Sequence, residues 1–164
     1  MESDGFELEF ESLYLTAFAV TRRLIGTTAD AEDAAAEALA RALVAWRRLA
    51  GQPGRQPWVV RVATNVAIDQ LRRHRGAPRP AAATPDEMEE ATMRLSLVAA
   101  LKRLPKRQRQ VVTMRYLADF DEAAVARSLG ISVNSVKKHS QRGVSALRGL
   151  LGSKESDQDR YHRR

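Results

Sequence analysis

The chain has 164 residues, 44% of them hydrophobic but only 5% aromatic, with no cysteine and a net charge of +7. That length can bury a core in one domain or two small ones, the missing thiols exclude disulfides and thiolate metal sites, and the prominence of Ala, Leu, Val and Arg favours helices over sheets. The charge is divided unevenly: residues 1–50 carry five Arg against nine acids, and residues 101–150 carry eleven Lys or Arg against three acids.

The two ends should therefore prefer different partners, a basic surface for the first and a polyanion for the second. The longest apolar runs are far short of a membrane span, and the acidic amino terminus is no signal peptide, so the expectation is a cytoplasmic protein without membrane insertion.

In chain order, Phe6, Phe10, Leu13, Tyr14, Ala17, Phe18 and Leu24 recur at three- and four-residue steps, an amphipathic helix ending near Gly26. Thr27, Thr28 and Asp30 offer N-caps for a second helix over residues 31–49, with Asp30, Glu32, Asp33 and Glu37 near its start. Acids there suit the helix dipole, and the alanines around them leave the carboxylates open to a docking partner. Trp46 and Trp58 are expected in the core. Residues 50–56, AGQPGRQ, form a turn-rich loop.

A third helix runs from Pro57 to about Arg75, with apolar residues on more than one stripe: Val59, Val62, Ala63 and Val66, then Val60, Ala67, Ile68 and Leu71. Its remaining polar strip, Arg61, Asn65, Asp69 and Arg72, keeps to one face. Such a strip suits contact with a base or phosphate; a solvated ion-pair face is the alternative.

Residues 76–90, GAPRPAAATPDEMEE, have no hydrophobic period and read as an acidic linker and domain boundary. A helix from about Ala91 to Arg103 follows, then another past Pro105 carrying Val111, Val112, Met114, Tyr116 and Leu117.

Glu122–Leu129 as a short helix, Gly130 as a left-handed turn, Ser132 as a cap and a long helix from Val133 make a helix-turn-helix. Asn134, Lys138, Gln141 and Ser145, flanked by Lys137, Arg142 and Arg148, give the second helix a basic, amide-rich outer face, as entry into a major groove requires. The tail from Gly152 to Arg164 is charged, lacks a period and is expected to be disordered.

Taken together, DAEDAAAEAL at 30–39, PWVVRVATNVAIDQLRR at 57–73, LPKRQRQVVTMRYLADF at 104–120 and VARSLGISVNSVKKHSQRGVSALR at 125–148 resemble a bacterial RNA polymerase sigma factor of the extracytoplasmic-function (ECF) type. The resemblance spans residues 6–151 and implies an all-α fold of two small helical domains joined by a flexible linker: sigma domain two at 6–75, the acidic linker at 76–90 and sigma domain four at 91–151, before the tail at 152–164.

Further implications concern sites and partners. Glu32, Asp33 and Glu37 would dock on the coiled coil of the β′ subunit of core polymerase, although Ala36 stands where the family often has Gln and Leu39 where it has an aromatic. Arg61, Asn65, Asp69, Arg72 and Arg73 would bind the opened −10 element, Asn65 at an extruded base and the arginines on backbone. Asn134, Lys137, Lys138, Gln141 and Arg142 would meet the −35 element. Leu101 and Leu104 would help pack on the β flap, and Asp86, Glu87, Glu89 and Glu90 would imitate RNA phosphates in the transcript's path. Control by an anti-sigma factor covering the polymerase-binding faces is a further expectation from the family.

An ordinary helix-turn-helix regulator that binds duplex DNA alone explains the last third but gives the acidic helix and the Asn65–Asp69 strip no task. An enzyme is disfavoured: His74, His139 and His162 sit in separate basic contexts without paired carboxylates, a phosphate loop or an activated nucleophile. Neither a cofactor nor a metal site is expected.

Overall fold

The structure, a computed structural model, describes the backbone of residues 4–52, 54–73 and 83–161, with side chains between Gly5 and Gly152 in those ranges. Helix α1 spans Asp4–Ile25, α2 Thr28–Leu49 and α3 Arg55–Arg73. Gly26, at φ 88°, ends α1 in a conformation that L side chains rarely adopt.

The alanines of α2 have a packing task. Ala31, Ala34, Ala35, Ala38 and Ala42 are fully buried, so small side chains let neighbouring helices approach closely. Of the alanines from Ala34 to Ala40 only Ala36 and Ala40 face outward. Phe6, Leu13, Ala17, Leu39, Trp46, Val59 and Ala63 join in one apolar cluster, in which the Phe6 and Trp46 rings meet edge to face at 5.2 Å. Trp58 is half-buried at its margin.

The second half comprises α4 (Pro85–Arg103), α5 (Lys106–Val112), a π-helical turn (Thr113–Leu117), α6 (Glu122–Leu129) and α7 (Val133–Tyr161). Its core, which includes Val98, Leu101, Leu104, Val111, Met114, Val125, Val136 and Leu147, is continuous with Val20, Leu24, Val60, Ala67 and Ile68 from the first half. This explains the excess apolar surface of α3: Val59 and Ala63 pack toward α1 and α2, while Val60, Ala67 and Ile68 pack under the second half. A polar tie accompanies the apolar one. Arg23 donates through Nη1 to the Leu117 carbonyl and approaches Asp119 Oδ2 to 3.5 Å.

Helix α2 starts at Thr28 and α3 at Arg55, each two or three residues before expectation, and two boundaries differ by more. Helix α4 starts at Pro85, inside the segment read as linker, because Thr84 and Glu87 form a capping box with Pro85 at a first-turn position. The linker residues 76–82 lie outside the described residues. At the other end, α7 continues to Tyr161 through most of the expected disordered tail; residues 153–161 contain no Pro or Gly to stop a helix, and 162–164 lie outside the description. Leu101 and Leu104 are also buried, at 1% and 4% exposure, so they serve the core in this conformation and not an outward flap contact.

Candidate nucleic-acid interface

The α3 strip is positioned from both of its flanks. Near the amino end, Arg55 pairs with Glu9 of α1 at 2.8 Å and lies 5.8 Å from the Trp46 ring centre, and Gln56 Nε2 donates to Ser12 Oγ at 2.8 Å. Buried Thr64 satisfies its hydroxyl on the Val60 carbonyl at 2.8 Å, so no polar atom of this side chain is left without a partner behind the strip. On the outer side Asn65, Asp69, Arg72 and Arg73 are exposed and Arg61 is half-buried.

Among the described residues no ion pair joins Arg61, Asp69 and Arg72. These side chains therefore face solvent without pairing with one another. Two forked cation donors, an amide and a carboxylate stand ready on a rigid helix, a set that can meet phosphates and the edge of one base. The preceding loop turns at Gly51, φ 78°, and Gly54 packs near Ser128 at the end of α6, whose Cα would lie 3.7 Å from an added β-carbon.

On α2, Glu32 and Asp33 are exposed and Glu37 is half-buried. Glu37 pairs with Arg41 one turn on, so it meets a partner already oriented, whereas Asp33 makes no hydrogen bond or ion pair among the described residues. Asp30 is occupied differently: its Oδ2 accepts from Thr27 Oγ1 at 2.6 Å.

The helix-turn-helix forms as its residues dictate. Asp121 caps α6 by accepting from Ala124 N at 2.7 Å, Gly130 adopts φ 63° and ψ 37°, and Ser132 Oγ accepts from Ser135 N at 3.1 Å. Val125, Ala126, Leu129 and Val136 fill the angle between the helices. Asn134, Lys137, Lys138, Gln141 and Arg142 are all exposed on α7. The helix is anchored behind them by Tyr116 Oη, 3.1 Å from the buried Ser140 Oγ.

Some supporting residues escaped the sequence reading. Glu122 of α6 reaches Lys137 Nζ at 3.8 Å and Arg115 Nη2 at 3.9 Å, a pairing between separate elements that helix spacing does not reveal. Gly143 matters for a close crossing of α5 and α7; a glycine inside a helical pattern was the available signal.

Family models for Sigma-70 region 2 and Sigma-70, region 4 match residues 10–77 and 94–147, which places this two-part helical chain with its helix-turn-helix in the sigma-70 class. The chain belongs to the ECF RNA polymerase sigma factor family. It is 34% identical to SigL of Mycobacterium tuberculosis (strain H37Rv), over 79% of this chain and 78% of that protein. With SigG of the same organism it shares 31% identity over 80% of this chain but only 44% of SigG, so the chain spans less than half the length of that relative. The sigma factor RpoE from Bartonella quintana, solved in complex with the anti-sigma factor NepR, has a similar fold, with a TM-score of 0.51 and 18% identity over 90% of this chain and 96% of that one.

Proposed function

We propose that this chain is a promoter-specificity subunit: it binds core RNA polymerase through α2, opens and holds the −10 element on α3, and reads the −35 element with α7. The observation that carries the reading is the α3 strip. Asn65 and Asp69 remain exposed and unpaired on a helix that is otherwise packed from two sides, an arrangement that core packing alone does not require.

Extruding one base from a stacked duplex costs a few kcal/mol. Charge-assisted contacts from Arg61, Arg72 and Arg73, at about 1.5–3 kcal/mol each, and the amide of Asn65 offset that cost. The basic α7 contributes affinity through phosphates and discrimination through base edges, each good bidentate contact adding about 1–3 kcal/mol.

Core polymerase approaches the opposite kind of surface. Glu32, Asp33 and Glu37 present carboxylates suited to a basic coiled coil, and an anti-sigma factor covering the same face would keep the chain inactive in the cytoplasm. Among the described residues no helix is long and apolar enough to cross a membrane. Catalysis in this account belongs to the polymerase, and the chain supplies specificity.

The test is strand opening. Core polymerase with the wild-type chain should render −10 thymines of a cognate promoter reactive to permanganate. Asn65→Ala should reduce that reactivity about tenfold or more while leaving binding to core intact; equal reactivity would remove Asn65 from the −10 site.

A further inference from the structure

The outer face of the helix-turn-helix is not uniformly free to meet DNA. Residues 133–150 of α7 contain no acid, yet one carboxylate is delivered to this helix from α6. Glu122 lies 3.8 Å from Lys137 Nζ through Oε2, and its Oε1 lies 3.9 Å from Nη2 of Arg115. Arg115 is itself fixed, because its Nη1 donates to the Phe120 carbonyl at 2.6 Å. The Glu122 and Arg115 side chains are 33% and 28% exposed, against 56% for Lys137. Thus Glu122 is held on its sheltered side by an anchored guanidinium and faces the exposed lysine on the other.

Neighbouring groups differ. Lys138, Gln141 and Arg142 make no hydrogen bond or ion pair among the described residues. A carboxylate beside a helix that approaches a polyanion opposes association, so its presence should have a compensating use. The Lys137–Glu122 approach is long enough to be a charge contact without a hydrogen bond. It draws the ammonium toward α6 and offsets its field, while Lys138 and Arg142 keep their full charge.

We propose that Glu122 is a positioning residue that restrains Lys137, lowering sequence-independent attraction to phosphates so that Asn134, Lys138, Gln141 and Arg142 determine −35 discrimination. This rests on the reading of α7 as the DNA-facing helix. In this assignment Lys137 meets a phosphate; a phosphate-only contact carries no sequence information, and restraining it raises the ratio of specific to non-specific binding.

The experiment uses the full chain and a random-sequence duplex, with affinity measured across a salt series. Glu122→Gln should bind about two- to fivefold more tightly, the range of an exposed ion pair, and steepen the salt dependence by up to about 0.9 in log–log slope. Glu11→Gln, the same charge change at an exposed position on α1, should produce a smaller effect and so isolates the local contribution from net charge. In a Lys137→Gln background the Glu122→Gln gain should shrink to the small remainder left by direct repulsion between the carboxylate and phosphates.

A gain undiminished without Lys137, or one matched by Glu11→Gln, would overturn the proposal, as would no gain while Lys137→Gln and Lys138→Gln both weaken binding. If neither lysine change affects DNA binding, the assignment of α7 itself fails and takes the proposal with it. Unchanged urea midpoints for the Gln variants separate these outcomes from misfolding.

Discussion

Gly143 of α7 faces Val112 of α5 so closely that a β-carbon on it would stand 2.6 Å from Val112 Cγ2. Such a separation forces a shift of the valine or of the helices. Gly143→Ala should therefore lower stability by about 1–3 kcal/mol from overpacking, despite the roughly 1 kcal/mol by which alanine favours a helix over glycine. In a Val112→Ala background the same change should become neutral or stabilising. Urea denaturation of the four variants checks the reversal of sign.

Charge reversal at Asp33 and Glu37 should abolish co-purification with core polymerase without unfolding the chain, since both side chains lie outside the core. Asp33 alone should have the larger effect: its carboxylate is unpaired, whereas that of Glu37 is already shared with Arg41. Retention of both variants on immobilised core would remove α2 from the docking role.

The start of α4 should be sensitive to acid. Thr84 N donates to Glu87 Oε2 at 2.7 Å and Thr84 Oγ1 does so at 3.0 Å, while Glu87 N donates back to Thr84 Oγ1 at 3.3 Å. Of these, the bond from the Thr84 backbone does most to hold the Glu87 carboxyl below its ordinary range, with the hydroxyl second and burial opposing. A folded-state pKa below the unfolded one contributes stability at higher pH, lost as pH falls through the lowered value. Amide exchange at Glu87 and Met88 should accelerate as pH falls below the ordinary glutamate range, beyond the intrinsic pH trend, and Glu87→Gln should remove that extra dependence.

Much of the molecule was legible from local chemistry. Gly130 and Ser132 marked the helix-turn-helix because a left-handed turn and an N-cap need those residue types, and the period of Phe6, Leu13, Ala17 and Leu24 marked α1. The Thr84–Glu87 box was equally local but was hidden by its Pro- and Ala-rich setting, which suggested linker to Glu90. Other features required three dimensions. Nothing in the spacing of Arg23 and Asp119 reveals that they meet, and the alanines of α2 looked like exposure for acids when most form a close-packed seam. The candidate strip was visible as a pattern, but whether Arg61, Asp69 and Arg72 pair with one another is decided by side-chain placement.

The central claim is that this chain confers promoter recognition on RNA polymerase. Run-off transcription from supercoiled genomic promoter fragments, using sigma-free core polymerase of the host, tests it most directly. Adding the chain should produce new discrete transcripts that disappear with Asn65→Ala or with charge reversal at Asp33 and Glu37. Strong binding of promoter duplexes by the chain alone, with no new transcripts in the presence of core, would contradict the account and favour a self-sufficient DNA-binding regulator.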